Sequence, residues 1–328
     1  MARITLANGK SFESQPDTSI LENALQQGLT LEYSCKTGRC GVCRTTAPEG
    51  ATRPLMPEEA LTIDEIASGH ILTCCRVAEE NLTLAIEDLG ELAGIQIKTL
   101  PCRIDSVQQV KDDVTIITLR LPPTTPLMFL PGQYVDIISQ TGRRRSYSIA
   151  NAPRADGKIE LQIRHVPGGE LSQYWFEKAK PNDLLRLEGP QGTFFLRQKK
   201  VSHLVFLATG TGIAPVKAIL ERISELSPTH PQQIHVYWGG RTEPDLYWQP
   251  PADIQGLRYV PVLSRGDGLW SGRKGYVQDA VIEDRIDLLD AQVYACGSES
   301  MIKSAKDLLT QQGLPESRFL SDAFVSSN

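Results

Sequence analysis

Three closely spaced cysteines constrain this chain more than any other feature of its sequence. Cys35, Cys40 and Cys43 follow the spacing C-x4-C-x2-C, and a fourth cysteine follows at Cys74 or Cys75. This spacing is typical of a [2Fe–2S] cluster, because one loop supplies three thiolates and a distant cysteine supplies the fourth. We expect two thiolates of the loop to bind one iron, while the third shares the other iron with the distant cysteine.

Two glycines inside the cysteine loop support the same prediction. Gly38 and Gly41 permit the tight turns that wrapping a cluster requires, and they let backbone N–H groups point at the cluster sulfurs. A structural zinc ion is the alternative, but zinc sites usually combine two C-x2-C pairs, and this sequence has one. The sequence therefore favours iron–sulfur over zinc.

Composition and cysteine usage predict a cytoplasmic protein. The 328 residues are 41% hydrophobic and 22% charged, which is ordinary for a globular chain of two or three domains. Five of the seven cysteines crowd into the iron–sulfur segment, which argues against a disulfide framework. No long apolar run and no leader pattern is visible, so we expect neither a membrane span nor a signal peptide. Nothing in the composition suggests nucleic-acid binding.

The segment around the cysteine loop resembles a known small fold. Residues 3–14 predict a β-hairpin that turns at Asn8-Gly9, and the helix that follows is capped within Asp17-Thr18-Ser19 and ends at Gly28. Hairpin, helix and cysteine loop together resemble plant-type ferredoxins. We therefore expect residues 1–92 to form a β-grasp ferredoxin domain.

Two adjacent cysteines compete for the fourth ligand position. Neighbouring side chains of an extended segment point to opposite sides, so we expect only one of them to reach the cluster. The resemblance to the Leu-Thr-Cys element of ferredoxins favours Cys74 over Cys75. The expected metal ligands are Cys35, Cys40, Cys43 and Cys74.

Charge is distributed unevenly along the chain. Residues 1–92 carry 7 basic and 14 acidic residues (net −7), residues 93–198 carry 14 and 10 (net +4), and residues 199–328 carry 13 and 15 (net −2). One interpretation is that the acidic first part docks on the basic second part or on a basic partner protein, because attraction between opposite charges raises the rate of association. Small ferredoxin-like domains are also acidic in general, and the sequence leaves both interpretations open.

Two further domains follow a predicted linker over residues 90–100. Short strands separated by Pro- and Gly-rich turns fill residues 98–198, which predicts an antiparallel β-barrel. Within residues 199–328, a buried apolar strand, a glycine turn and alternating helices and strands predict a parallel α/β domain. The predicted fold class is multidomain, α+β and α/β.

The barrel carries three motifs that resemble the ferredoxin–NADP reductase superfamily. They are Arg145-Ser146-Tyr147-Ser148, Pro167–Ser172 and Gly189–Phe194. The resemblance implies that the tyrosine packs on the isoalloxazine of FAD, the serine bonds near flavin N5, and the arginine and glycine turns hold the pyrophosphate. An aromatic ring and a guanidinium fork suit those tasks. The residues assigned to the flavin are Arg145, Tyr147, Ser148, Gly168, Gly169, Ser172, Gly189, Gly192 and Thr193.

The α/β domain continues the resemblance. A Gly-Thr-Gly-Ile-Ala-Pro turn follows its first strand and opens a helix, where backbone can approach a dinucleotide pyrophosphate. A Cys-Gly-x-x-x-Met element implies a small thiol near the nicotinamide. Phe324 lies near the position at which family members place an aromatic ring over the flavin. A phenylalanine of the hydrophobic core is nearly as good an interpretation of Phe324. The residues assigned to the nicotinamide side are Gly210, Thr211, Gly212, Pro215, Cys296, Gly297 and Phe324.

The domain order implies an NAD(P)H-dependent oxidoreductase that passes electrons to a redox partner protein. We expect hydride transfer to the flavin beside Ser148 and Cys296, with single electrons leaving through the cluster. Four stretches resemble reductases that serve an iron–sulfur, pyridoxamine-phosphate (PMP)-dependent dehydrase acting on a CDP-6-deoxyhexose in 3,6-dideoxyhexose biosynthesis. Reductases of aromatic-ring dioxygenases and multicomponent monooxygenases share this order, so an oxygenase is the alternative partner. The four stretches are Leu31–Lys36, Ile71–Cys75, Gly189–Phe195 and Ser321–Val325.

The choice of nicotinamide is the point at which residues and resemblance disagree. Ser264 and Arg265, with Lys274 and Tyr276 downstream, resemble the residues that grip the 2′-phosphate in NADPH-specific members. The dehydrase reductases use NADH, and Asp267 is close enough in sequence to repel that phosphate. We predict NADH, with NADPH as the alternative.

Overall fold

The computed structural model describes residues 2–198, 200–225 and 233–324. It divides into two compact units, one ending at Ile95 and one running from Gln96 to Phe324. The predicted limits of the third domain, residues 199 and 328, lie outside the described residues. The exact boundaries of the three domains therefore stay predictions.

The first unit is small and built around one hairpin. Its elements are β1 (Ala2–Leu6), β2 (Ser11–Ser14), α1 (Ile20–Gln26), β3 (Arg44–Thr46), β4 (Thr52–Pro54), α2 (Ile63–Ala67), β5 (His70–Leu72), β6 (Arg76–Ala78) and β7 (Leu82–Leu84). Strand β1 pairs antiparallel with β2 and parallel with β7. Ser19 caps α1 by accepting a hydrogen bond from the Glu22 N–H, as the sequence predicted. Cys43, Cys74 and Cys75 lie within the apolar core that these elements enclose.

The second unit begins with an antiparallel barrel. Its strands are β8 (Lys98–Lys111), β9 (Val114–Arg120), β10 (Tyr134–Ile138), β11 (Arg144–Ser148), β12 (Ile159–Arg164) and β13 (Leu184–Gln191), with helix α3 (Glu170–Glu177) between the last two. They follow the order β11-β10-β13-β8-β9-β12. A bridge between Ile149 and Leu161 joins the two edges of this sheet, so the strands close into a barrel. The predicted flavin-domain fold is confirmed.

The predicted linker is too long by three residues. Strand β8 starts at Lys98 rather than after residue 100, and the side chain of Leu100 is buried in the barrel core. Pro101 hid this start from sequence reasoning, because proline is uncommon inside strands. In the barrel it pairs in register with Arg186 of β13.

A parallel α/β layer completes the second unit. Its elements are β14 (His203–Thr209), α4 (Ile213–Glu225), β15 (Gln233–Gly240), β16 (Leu257–Leu263), β17 (Arg273–Lys274), α5 (Val277–Glu283), β18 (Ala291–Gly297), α6 (Glu299–Gln311) and β19 (Phe319–Ala323). The strands are all parallel, in the order β17-β16-β15-β14-β18-β19. Parallel strands present their carboxyl ends along one edge, where such sheets bind ligands. The predicted nicotinamide-domain fold is also confirmed.

Helix α4 packs against the barrel within this unit. The buried Lys217 of α4 donates to the Ala150 carbonyl oxygen at 2.9 Å and pairs with Glu160 of β12 at 3.2 Å.

Across the described ranges, no helix has both the length and the apolar character that crossing a bilayer requires.

Candidate functional site

The four cysteines predicted to bind the cluster lie as two pairs. The Cys43 thiol donates to Sγ of Cys74 at 3.2 Å, and the Cys40 thiol donates to Cys35. The bond from Cys40 lowers the pKa of Cys35 to about 5, and bonds from Cys43 and then Cys75 lower the pKa of Cys74 to about 3. Because iron binds thiolates, pairs in which one sulfur already favours the thiolate form fit two irons that each take two cysteines.

The side chains of Cys74 and Cys75 do not point to opposite sides, so the prediction that an extended backbone separates them is wrong. Residues 73–75 form a turn between β5 and β6 rather than an extended segment. The two sulfurs of Cys74 and Cys75 therefore lie only 3.5 Å apart instead of pointing to opposite sides. Cys74 is nevertheless the one of the two that pairs with Cys43, which supports the prediction that it is the ligand.

Backbone contacts fix the turn that carries Cys74. The Thr73 N–H donates to the Cys43 carbonyl oxygen at 3.1 Å, and the Thr73 carbonyl oxygen accepts from the Leu21 N–H at 3.0 Å. Helix α1 and the cysteine loop thus hold residue 73 from both sides. The Thr37 N–H donates to Sγ of Cys35 at 3.4 Å, the kind of backbone-to-sulfur bond that glycine-rich cluster loops supply.

Sequence reasoning missed a buried carboxylate beside this turn. Glu58 accepts from the Leu72 N–H at 2.7 Å, and its other oxygen lies 2.7 Å from the Arg76 guanidinium. Its side chain is 6% exposed, so the pair is shielded from water. One carboxylate therefore ties together the two strands that flank Cys74 and Cys75. In the sequence it is one of two adjacent glutamates, Glu58 and Glu59, and nothing there distinguishes it from its neighbour.

The predicted flavin residues Arg145, Tyr147 and Ser148 lie on β11. The Tyr147 hydroxyl accepts from Nε1 of Trp175 at 3.1 Å, and the two rings meet edge to face. Burial raises the pKa of Tyr147 to about 12, so the phenol stays neutral. The Arg145 guanidinium donates to the Arg144 carbonyl oxygen at 2.8 Å. Trp175, on α3, was not predicted, because only the fold brings it to β11.

The second flavin motif forms the turn into α3. Gly168 has φ of 75°, which a side chain would strain, and Gly169 is the residue before the helix. The Ser172 hydroxyl accepts from the Val166 N–H at 2.7 Å. Ser172 therefore orders the turn and still has its own proton to donate to a ligand.

The third motif lies against β10. A Cβ atom at Gly189 would approach Val135 to 2.8 Å, and one at Gly192 would approach the Tyr134 ring to 2.7 Å. Both glycines are thus required by chain packing before any ligand is considered. The adjacent Thr193 is buried.

Two glycines also interlock the carboxyl ends of β14 and β18. A Cβ atom at Gly212 would lie 2.3 Å from the Cys296 carbonyl oxygen, and one at Gly297 would lie 2.2 Å from Oγ1 of Thr209. Residues Gly210–Gly212 form a 3₁₀ turn, and α4 begins at Ile213, with Pro215 as its third residue. The predicted nucleotide turn, in which Thr211 is buried, is therefore packed tightly against the end of β18.

The predicted catalytic residues come together where barrel and sheet meet. The Ser148 hydroxyl donates to the Asp322 carboxylate at 3.4 Å, and Asp322 lies beside Cys296 in the register of β18 and β19. All three are buried. Burial, and then the charge of Asp322, raise the pKa of the Cys296 thiol well above its usual range. Cys296 is therefore a neutral thiol that shapes the site, and Asp322 is a site residue to which sequence reasoning assigned no role.

Phe324 lies one residue beyond β19. Its N–H donates to the Gly297 carbonyl oxygen at 2.8 Å, which ties it to the end of β18. It is 38% exposed and so is not a core phenylalanine. This position is compatible with the predicted covering role.

The loop after β16 carries the residues predicted to select the nucleotide. The Ser264 hydroxyl donates to the Gly240 carbonyl oxygen at 3.3 Å, and Arg265 is exposed. The Lys274 ammonium donates to the Asp267 carbonyl oxygen at 2.9 Å, and the Asp267 carboxylate accepts from the N–H groups of residues 269 and 270. Both charged side chains thus help to shape the loop itself.

Comparison with known proteins agrees with this arrangement. The 2Fe-2S iron-sulfur cluster binding domain matches residues 5–79, the oxidoreductase FAD-binding domain residues 101–196 and the oxidoreductase NAD-binding domain residues 206–307. The chain therefore has the domains that bind a [2Fe–2S] cluster, FAD and NAD(P)H. In the solved structures it is similar to Amycolatopsis cytochrome P450 reductase, with a TM-score of 0.79, 25% identity and full coverage of both chains.

Several relatives span nearly the whole chain, and two of them bear on its function. The CDP-6-deoxy-L-threo-D-glycero-4-hexulose-3-dehydrase reductase of Yersinia pseudotuberculosis is 43% identical over 98% of this chain and 97% of its own. The anthranilate 1,2-dioxygenase electron transfer component of Acinetobacter baylyi is 30% identical over 99% and 97%. The chain belongs to the family of NAD(P)H-dependent electron-transfer reductases, of which both are members, in which a [2Fe–2S] domain precedes an FAD-binding and an NAD-binding domain.

Proposed function

We propose that this reductase takes electrons from NADH in the cytoplasm and delivers them singly to an iron–sulfur, PMP-dependent dehydrase acting on a CDP-6-deoxyhexose. The observation that carries the proposal is the higher identity, over almost the full chain, to a relative named as the reductase of a CDP-6-deoxyhexulose 3-dehydrase than to a dioxygenase component. A reducing compartment suits the seven cysteines, all of which are free thiols.

The residues of the β11–β18–β19 junction suit hydride transfer without supplying an acid or base to an organic substrate. When bound, FAD would supply the chemistry that converts the two-electron hydride of NADH into single electrons. The Ser148 hydroxyl donates to Asp322, so its oxygen would be left to accept a hydrogen bond from a bound flavin or nicotinamide. Cys296 is an uncharged thiol that is fully buried, so it adds no charge to the junction and helps to exclude water from it. Tyr147, fixed by Trp175, supplies the aromatic surface.

We propose Cys35, Cys40, Cys43 and Cys74 as the ligands of the cluster. The two thiol pairs and the rigid turn at Thr73 support this set. Changing Cys74 to serine should remove or destabilise the cluster, whereas flavin reduction by NADH should survive in the second unit. Iron content and visible absorbance measure the first effect, and ferricyanide reduction the second. Retention of a normal cluster in this variant would refute the ligand set.

We propose NADH as the preferred nucleotide. The Lys274 ammonium is engaged by the Asp267 carbonyl oxygen within its own loop, which supports weak rather than strong binding of a 2′-phosphate. Steady-state ferricyanide reduction with each nucleotide tests this. A kcat/KM ratio favouring NADPH by more than tenfold, about 1.4 kcal/mol, would overturn the proposal and make Arg265 the residue to change.

The partner is tested by reconstitution. NADH oxidation by the purified reductase is measured with a CDP-6-deoxyhexulose 3-dehydrase and its sugar nucleotide, each omitted in turn. We expect oxidation to require both, and the Cys74→Ser variant to fail although it still reduces ferricyanide. If the dehydrase does not couple, while the oxygenase of an aromatic-ring dioxygenase does, the reductase serves the alternative partner.

A further inference from the structure

Cys75 is a buried thiol that the ligand set leaves without a role. It is 0% exposed, and its sulfur lies 3.5 Å from Sγ of Cys74 and 3.6 Å from the Pro57 carbonyl oxygen. The single proton of the Cys75 thiol therefore has two acceptors within hydrogen-bond range, the sulfur of Cys74 and the carbonyl oxygen of Pro57. Thiols are weak donors, but a thiolate is a charged acceptor and strengthens such a bond.

The surroundings hold this sulfur in place. The Cys75 N–H donates to the Leu72 carbonyl oxygen at 2.9 Å, and the Cys75 carbonyl oxygen accepts from the Leu55 N–H at 2.7 Å. On the far side, a Cβ atom at Gly38 would lie 2.8 Å from the Cys75 sulfur and 2.4 Å from the Pro57 carbonyl oxygen. Gly38 therefore creates the space that the thiol fills, and the backbone prevents the thiol from moving away.

Binding of iron changes which of these cysteine thiols keep their protons. Cys43 and Cys74 both lose their protons when they become ligands, so the hydrogen bond between them disappears. Cys75 keeps its proton, since it is not in the ligand set. Hydrogen bonds to cluster sulfurs are among the factors that set the reduction potential of these centres. A donor stabilises the reduced state more, because that state carries one more negative charge.

We propose that Cys75 is a positioning residue that donates an S–H···S hydrogen bond to the Cys74 ligand and thereby raises the reduction potential of the [2Fe–2S] cluster. This inference rests on the proposed ligand set. It is independent of the partner, because the potential is a property of the reductase alone. Failure to couple to a dehydrase would therefore leave it unaffected.

The test compares full-length variants that remove or keep the donor. Cys75→Ala removes it, Cys75→Val removes it while filling the space, and Cys75→Ser keeps a donor. Cys102→Ala is the matched control, since Cys102 is a buried thiol of the barrel core. Iron content shows that the cluster is retained, and a redox titration followed by electron paramagnetic resonance gives the midpoint potential.

We expect alanine and valine to retain two irons per chain and to lower the equilibrium constant for cluster reduction about tenfold, which is 59 mV for a one-electron couple. Serine should lower it less, and the Cys102 control should not change it. An unchanged or higher potential in both donor-free variants overturns the proposal. Loss of iron from both, with iron retained in Cys74→Ser, also overturns it, because Cys75 would then be the ligand.

Discussion

Replacing Lys217 by methionine should lower the stability of the second unit more than replacing an exposed residue. Lys217 is 9% exposed, and its ammonium contacts three acceptor groups: the Ala150 carbonyl at 2.9 Å, the Glu160 carboxylate at 3.2 Å and the Glu221 carboxylate at 2.8 Å. Methionine keeps the length of the side chain and removes the charge. Two half-buried carboxylates then face each other without their shared cation.

The expected loss follows from the burial of those carboxylates. Removing one partner of a buried ion pair costs about 3–5 kcal/mol. Arg154 stays within 3.4 Å of Glu221 and 3.9 Å of Glu160, and it compensates in part. We therefore expect about 3 kcal/mol, the lower end of that range. For a unit of this size, 1 kcal/mol moves Tm by about 2–4 °C, so the predicted fall is about 6–12 °C.

The assay is the temperature at which FAD is released, read from flavin fluorescence, because it reports on the unit that contains Lys217. Arg222→Ala is the control, since Arg222 and Glu225 form an exposed pair on the same helix. An exposed pair contributes at most about 1 kcal/mol, so the control should move little. Adding Glu221→Gln to Lys217→Met should recover part of the loss. A Lys217→Met midpoint within 2 °C of the wild type would refute the reasoning.

Three further changes test the site and the fold. Gly212→Ala places a Cβ atom 2.3 Å from a carbonyl oxygen of β18, so we expect slow flavin reduction by NADH in anaerobic stopped flow, with cluster absorbance unchanged; normal reduction would contradict the interlock. Asp322→Asn replaces the charged acceptor of Ser148, which should lower kcat about tenfold, or about 1.4 kcal/mol, with KM unchanged; a raised KM with normal kcat would show a binding role instead. Burial, and then the charge of His203, lower the pKa of His235 from 6.5 to about 4. Because the folded state disfavours the protonated ring, stability is present above pH 6.5 and is lost as the pH falls towards 4. His235→Gln should flatten that decline in urea unfolding, and an unaltered pH dependence would rule out this residue as its source.

The sequence was sufficient where function depends on spacing within a short segment. The cysteine loop, the strand carrying Tyr147 and Ser148, and the glycine turn after β14 are all local patterns, and family and fold agree with the domains predicted from them. It was insufficient where residues meet across the fold. Trp175 reaches Tyr147 only because α3 packs on the barrel, and Asp322 reaches Ser148 only because β19 is the edge strand beside β18.

The backbone at residues 73–75 also depends on contacts that are distant in sequence. It turns instead of running extended as predicted, because β5 and β6 pair with different partners. Local propensity does not reveal such a turn, because it contains neither glycine nor proline. The roles of the predicted cofactor-binding residues and the choice of NADH stay predictions, and both interpretations of the uneven charge stay open.

The interlocked glycines separate what this architecture must keep from what it can change. Gly212 and Gly297 are required by contacts between neighbouring strand ends, so they would stay necessary even in a descendant that no longer bound a nucleotide. In the loop from Ser264 to Tyr276, by contrast, several side chains are exposed, among them those of Arg265 and Asp267. If this loop selects the nucleotide as we propose, an exposed residue such as Arg265 can be exchanged without disturbing the contacts of Gly212 and Gly297. Nucleotide preference would then be free to evolve while the scaffold stays the same.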